Sequence, residues 1–255
     1  MNAILPVTSA GIAGALLHPI IHLGFSLAAG DLKIAQAEGL AYTIYAYEPL
    51  VQFYLPQLRS QLRDTSFSAA EVFRKIARDD ELYNAYRIEI SSNPAERYNI
   101  IKQEKYQSKL LDCLQFWDIL HLPSDTSEQQ QTQYDAGVEA LARLSVQLYG
   151  CCSKPSADFF LLHGVTGTFS IVTSANRLAL HTDRLQLLAY GFYILSCLYI
   201  IVGCPSFQNE SPVSPMSWEE MIQQMVEENS DDNEPVSVPP IFAITHLFFS
   251  SYERA

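Results

Sequence analysis

Six histidines punctuate the chain, and two of them, His18 and His22, sit four residues apart in the run Leu17-His18-Pro19-Ile20-Ile21-His22-Leu23-Gly24-Phe25. On a helix that spacing places both imidazoles on one face, a turn apart. Apolar neighbours on both sides imply that the rings are shielded from bulk water, and a shielded imidazole needs a partner. The partner is a metal ion, a bound substrate or a buried hydrogen-bond network. Imidazole titrates near neutral pH, which also suits general acid–base work. His163, in Asp158-Phe-Phe-Leu-Leu-His163-Gly164-Val165-Thr166, is the third candidate. Coming from a distant helix, it would complete a facial set of three ligands for a non-haem metal such as iron, leaving positions open for oxygen and substrate. Thr166, one turn on, is placed to orient a ligand or hold a substrate oxygen. Glu38 is the nearest carboxylate in sequence, and if buried it must face a histidine or an ion. Phe25 and Tyr42, with other aromatics around these motifs, suit a pocket for a flat polycyclic ligand. The plainer alternative stays open at every one of these positions: histidines bonded to backbone carbonyls, and aromatics that only fill a core.

These residues need helices to position them, and the chain reads as helical nearly throughout. Apolar and small residues over 10–29, interrupted by Pro19, predict a kinked or restarted helix. Gly30-Asp31 predicts a stop followed by a cap, and 32–47 a second helix. Ser68-x-x-Glu71 is a capping-box pattern opening a helix to residue 78. Further helices are expected over 95–120, 134–149, 158–175 and 184–203, with a short surface helix near 79–87 and a turn at 91–94. The polar, glutamine-rich stretch 123–133 predicts an exposed loop. His121 is expected at the surface, and His181 at a helix end that favours a cation. The domain boundaries follow: a helical core over 1–205, Pro/Ser-rich and acidic loops around a short helix over 206–240, and an apolar segment over 241–255 that docks back on the core, where His246 lies. The expected fold class is all-α, a single irregular multi-helix domain with a buried apolar helix near its C-terminal end.

Composition narrows the function. The net charge of −12 across 255 residues argues against nucleic acid and against anionic membrane surfaces. Five cysteines, with no C-x-x-C and no cationic leader, fit a reduced, cytoplasmic protein whose thiols act as small apolar groups. Residues 3–30 and 185–209 carry no Asp, Glu, Lys or Arg and are long enough to span a bilayer. The histidines in the first run, and the glycines and proline in the second, favour burial in a protein core over a membrane. No G-x-G-x-x-G, P-loop or G-x-S-x-G occurs. Oligomeric state is not set by these features.

Three ordered blocks resemble the questin oxidase-like family. The first is Leu5-Pro-Val with Gly11-x-x-Gly14-Ala15-x-x-His18-Pro19-x-x-His22-Leu23-Gly24-Phe25 and Ala37-Glu38-Gly39-Leu40-Ala41. The second is the His163 block, and the third is Leu187-Leu188-Ala189-Tyr190 running to Gly203-Cys204-Pro205. The resemblance implies a helical oxidoreductase of fungal polyketide secondary metabolism. Such an enzyme would open a quinonoid or phenolic ring by Baeyer–Villiger-type oxygen insertion with NADPH, which here would bind in a non-Rossmann manner. It also implies that His18, His22 and His163 carry the chemistry. The resemblance begins almost at residue 1, whereas family members carry a histidine-bearing segment before it. An acidic run over 231–234 stands where many relatives have a histidine, and 187–205 holds no lysine. A truncated, non-catalytic helical paralogue that binds a polycyclic ligand or a partner is therefore the alternative.

Overall fold

The computed structural model describes residues 14–30, 33, 35–46, 58–62, 64–82, 99, 101–150 and 159–205. Seven α-helices lie among them: α1 His18–Ala28, α2 Ala41–Tyr45, α3 Ala69–Arg78, α4 Glu104–Leu114, α5 Ser127–Gly150, α6 Phe159–Ala175 and α7 His181–Ile201. No strand occurs among the described residues. The nearest approach is one bridge, Phe67 to Trp117, so the all-α expectation holds. The regions expected to form the loops over 206–240 and the segment over 241–255, with His246, lie outside the described residues. So do the turn at 91–94 and the cap expected at Asp31.

α7 is the centre of the packing. Every residue from Leu185 to Ile201 is buried except the half-buried Gln186. It touches α3, α4, α5 and α6, so no face is left for water. Phe192 stacks on Trp117 at 4.6 Å and meets Phe73 edge-on at 5.5 Å. Tyr199 tilts against Phe73 at 5.1 Å. By length and composition α7 could cross a bilayer, but 89% of its apolar window is buried inside the protein. Burial of that kind gives apolar residues the environment a membrane would otherwise supply.

Several boundaries move from their expected places. Pro19 lies in the first turn of α1, where its missing N–H costs nothing and its fixed φ favours helix initiation. It starts the helix instead of kinking it. Ahead of it, Ala15, Leu16 and Leu17 all have positive φ (45°, 56° and 70°), a left-handed turn that costs non-glycine residues roughly 1–2 kcal/mol each. Gly30 at φ 79° ends the segment as expected. Residues 35–40 form a π-helical turn, so the second expected helix is regular α only from Ala41 to Tyr45.

The glutamine-rich stretch is helix, not loop. α5 begins at Ser127, and Thr126 and Gln129 cap it reciprocally. The Gln129 N–H donates to Thr126 Oγ1 at 3.2 Å, and the Thr126 N–H donates to Gln129 Oε1 at 3.1 Å. At α3 the expected box is present: Glu71 Oε2 accepts from the Ser68 N–H at 2.9 Å and from its hydroxyl at 2.7 Å. These bonds, with the Ser68 hydroxyl first, hold the Glu71 carboxyl below its usual range. The helix expected over 95–120 is broken at Gln115–Trp117, where the chain turns into a short 3-10 helix, Asp118–His121. The Asp118 N–H and Phe67 O make one of the two backbone bonds that pin this break to the segment before α3.

Candidate functional site

The site forms where α1 crosses α6. Close approach there is a property of small residues. A Cβ on Gly24 would sit 2.3 Å from both Cα and Cβ of Ser170, so only glycine lets the helices meet at that point. Gly167 plays the same part for Leu17, whose Cδ1 lies 2.8 Å from where a Gly167 Cβ would be. Leu17, 2% exposed, thereby anchors the left-handed turn against α6. The turn aims the first residue of α1, His18, at the first third of α6.

That aim brings two of the three expected histidines together. His18 Nε2 and His163 Nε2 are 3.2 Å apart, with the rings edge-on and their centroids 5.1 Å apart. His163 Nδ1 lies 2.7 Å from the Phe159 carbonyl, one turn back, so its Nδ1–H donates there and its Nε2 carries the lone pair. His18 also bonds the Ala15 carbonyl. With Nε2 turned to His163, Nδ1 is the atom left for that bond. The two Nε2 atoms therefore face each other as lone pairs, and a single added proton would bridge them as an N–H···N bond. The Phe159 ring covers His163 edge-on at 4.3 Å and is itself 57% exposed. It is one of the aromatics expected around these motifs, and it forms a lid on the His163 side of the pair.

His22 is not in the pair. It is exposed and meets the Tyr42 ring edge-on at 5.6 Å. Glu38 is exposed. The Thr166 hydroxyl donates to the Leu162 carbonyl at 3.2 Å, back into its own helix. Phe25 packs on Phe169 at 4.9 Å as part of the α1–α6 contact. Among the described residues no group of three His, Cys, Asp or Glu side chains is arranged to hold an ion. The His18–His163 spacing suits two ligands at about 2.0–2.1 Å from one metal, but the described residues do not supply a third. They also contain no strand–glycine loop–helix cradle of the kind that holds a dinucleotide pyrophosphate.

Burial shapes the electrostatics. His18 is held below its ordinary value first by desolvation and then by the neighbouring His22, with the Ala15 carbonyl pulling it back up. His163 is lowered by desolvation, raised by the Phe159 carbonyl and lowered again by His18. Both imidazoles are thus neutral at pH 7 and available as bases. Because the unfolded chain binds these protons more readily, stability is full above the ordinary value of 6.5 and falls as pH drops below it toward the lower folded values. The melting temperature should rise between about pH 5.5 and 7.5, and the rise should shrink in His163→Phe. A pH-independent melting temperature in the wild type would contradict the burial of the pair.

The remaining candidates fall elsewhere. His121 is half-buried, not exposed, and its Nε2 lies 3.0 Å from the Gln115 carbonyl. His181 opens α7, the helix end that disfavours a cation, which corrects the expectation. The Cys113 thiol is pushed up to about 11 and that of Cys204 to about 12 by burial, so neither is a ready thiolate. Cys197 is fully buried and also raised. Cys151 and Cys152 lie outside the described residues. An open cleft of about 370 Å³ between α3 and α5, lined by Ser68, Asp118, Glu139 and Arg143 among others, contains none of the histidines.

An all-helical protein with a lidded imidazole pair at a close helix crossing is the class that fold and site define. The family described as questin oxidase-like matches residues 7–236 of the 255, a span that takes in α1 through α7. This chain belongs to the questin oxidase-like family, whose name points to an oxidoreductase. No curated protein matches it significantly.

Proposed function

We propose that the chain is an oxidoreductase that acts on a quinonoid or phenolic polyketide, with His18 and His163 as its proton-transfer pair. The observation that carries this reading is the 3.2 Å approach of two Nε2 atoms whose rings are each tied to a backbone carbonyl. A phenol hydroxyl reaching the pair meets a neutral, desolvated base. On taking the proton the pair becomes N–H⁺···N, a charge-assisted bond held in place before the substrate arrives. The proton can return to a carbonyl or enolate oxygen at a later step, so one pair serves as base and acid. Ionising the phenol raises the electron density of the aryl group, which favours its migration to oxygen in an insertion beside the ring carbonyl. NADPH, implied by the family resemblance, would supply reducing equivalents when bound. The described residues complete neither a dinucleotide site nor a three-ligand metal site.

A hydroxyanthraquinone is the natural probe, since its absorption shifts when a phenol ionises. Bound to the wild type near pH 6.5, it should show the phenolate band. Bound to His163→Phe, it should show the neutral band. A neutral band in the wild type would remove the pair from proton transfer. Ionisation and binding without turnover, under conditions supplying oxygen and NADPH, would favour the second reading, a ligand-binding paralogue. The placement of His22 outside the pair is the observation on that side.

A further inference from the structure

Three consecutive residues ahead of α1 are left-handed: Ala15 (φ 45°, ψ 43°), Leu16 (φ 56°, ψ 50°) and Leu17 (φ 70°, ψ −1°). Single residues visit that region, most often glycine or asparagine, but runs of other residues do not. Pro19 accounts for part of the departure from a right-handed helix. Continued back through residue 15, α1 would drive the Pro19 ring into the Ala15 carbonyl, which would also find no N–H on Pro19 to bond. The His18 ring supplies the missing donor, since the Ala15 carbonyl accepts from it. Proline forbids only that helix, however. Extended backbone satisfies it equally and carries no left-handed penalty, so a contact from elsewhere must hold the turn.

That contact comes from α6. Locally the turn has the His18–Ala15 bond, but Leu17 gives α1 no side-chain cap, and none of residues 15–17 is glycine, asparagine or aspartate. The Leu17 side chain, by contrast, is buried along Gly167. Its Cδ1, Cγ and Cβ lie 2.8, 3.7 and 3.8 Å from the place a Gly167 Cβ would take. Leu16 packs on the core beside it. Gly167 is one turn on from His163, so the notch that receives Leu17 and the imidazole that receives His18 lie on one face of α6. Seating Leu17 therefore delivers His18 Nε2 to within 3.2 Å of His163 Nε2, and it does so against the preference of the backbone. Strain of this kind persists only where the surroundings over-determine it.

We propose that Ala15–Leu17 form a strained latch that assembles the histidine pair, with Leu17 as its positioning residue. Seated against Gly167, Leu17 holds His18 on His163; unseated, it lets the turn relax out of the left-handed region and the pair comes apart. The site thus has an assembled and a disassembled state, and whatever displaces Leu17 from its notch switches it off. The latch deepens the proton-transfer reading above and rests on it for its effect on turnover, while the geometry of the latch can be tested without any substrate.

The test uses the full chain and three variants, read by melting temperature and by the imidazole nitrogen resonances of His163. Ala15→Gly should raise the melting temperature by about 1–4 °C, because glycine adopts the left-handed region without the Cβ penalty; at a right-handed or extended position the same change would lower it. Leu17→Ala should move the His163 resonances toward those of His18→Phe, and turnover of a hydroxyanthraquinone should fall by about 10²-fold with KM little changed, as for a misplaced reacting group. Adding Ala15→Gly to Leu17→Ala should return the resonances part of the way to the wild type, since the turn then needs less to hold it. A role for Leu17 in core packing alone predicts no such rescue. If Leu17→Ala does not fold, Gly167→Ala takes its place, because its methyl group meets first the flexible end of Leu17 and displaces it without leaving a cavity. A fall in melting temperature for Ala15→Gly, wild-type resonances in the unseated variant, or no rescue by glycine overturns the latch. Resonances that behave as expected beside a hydroxyanthraquinone that never ionises would leave the latch standing and remove the proton-transfer reading instead.

Discussion

Replacing His163 with Phe should lower turnover of a hydroxyanthraquinone substrate by about 10²–10⁴-fold, the range a positioned general base contributes, with KM little changed. Phenylalanine fills the same slot beneath Phe159 and needs no hydrogen-bond partner, so the helix crossing should survive. It removes the Nε2 that faces His18 and leaves the His18 Nε2 without a partner. His18→Phe should cost a similar factor. The double variant should be no worse than either single one, because two groups that share one proton fail as a unit. His22→Ala should have a small effect, since that ring is exposed and meets Tyr42 edge-on instead of facing the pair. Steady-state rates beside circular dichroism check all four. Losses in the two single variants that multiply in the double would show that the rings act independently, and the shared-proton account would then fail.

The second large effect falls on stability. Gly24→Ala places a methyl group 2.3 Å from the Cα and Cβ of Ser170. The obstacle is partly backbone, so no rotamer change can relieve it and the helices must part. Overpacking costs about 1–3 kcal/mol where side chains can adjust, and more where they cannot. For a chain of this size each kcal/mol lowers the melting temperature by roughly 2–4 °C. A fall of about 6–12 °C is expected from the upper part of that range, with loss of the His18–His163 contact and of activity. Gly150→Ala is the control. Nothing lies within 4 Å of its would-be Cβ, so it should be neutral or slightly stabilising. Equal melting temperatures for the two variants would refute the close crossing.

Much of the architecture was legible because local and tertiary demands agreed. The Ser68-x-x-Glu71 box marked the start of α3, and the uncharged run after Arg184 marked the buried helix. The error over 123–133 came from weighing polarity above capping. Thr126-x-x-Gln129 is the same box with glutamine in place of glutamate, and glutamine is a good helix former. The site was half legible. Four-residue spacing put His18 and His22 one turn apart, but α6 packs on α1 through Gly24 and Phe25 as well, and of the two rings only His18 meets His163 while the exposed His22 meets Tyr42. The crossing point was written in Gly24 and Gly167, whose role depends on which helix lies opposite, and a single sequence does not name that helix. The bonds from Arg59 and His181 to the Gln133 side-chain oxygen join three segments far apart in the sequence, so no local pattern announces them. His181 was assigned the wrong helix end because Leu178-Ala-Leu before it looks helical, whereas the chain there is the turn between α6 and α7.

The burial of α7 on every side carries a consequence for how the protein is made. Helices α3 to α6 each turn apolar surface toward a partner that is synthesised after them. Until residue 201 has left the ribosome, those surfaces have nothing native to cover them. The nascent chain therefore spends most of its synthesis with its stickiest faces open. Chain termination, or a ribosomal stall, shortly before α7 would release a product prone to aggregate even though nearly all of its helices are already encoded.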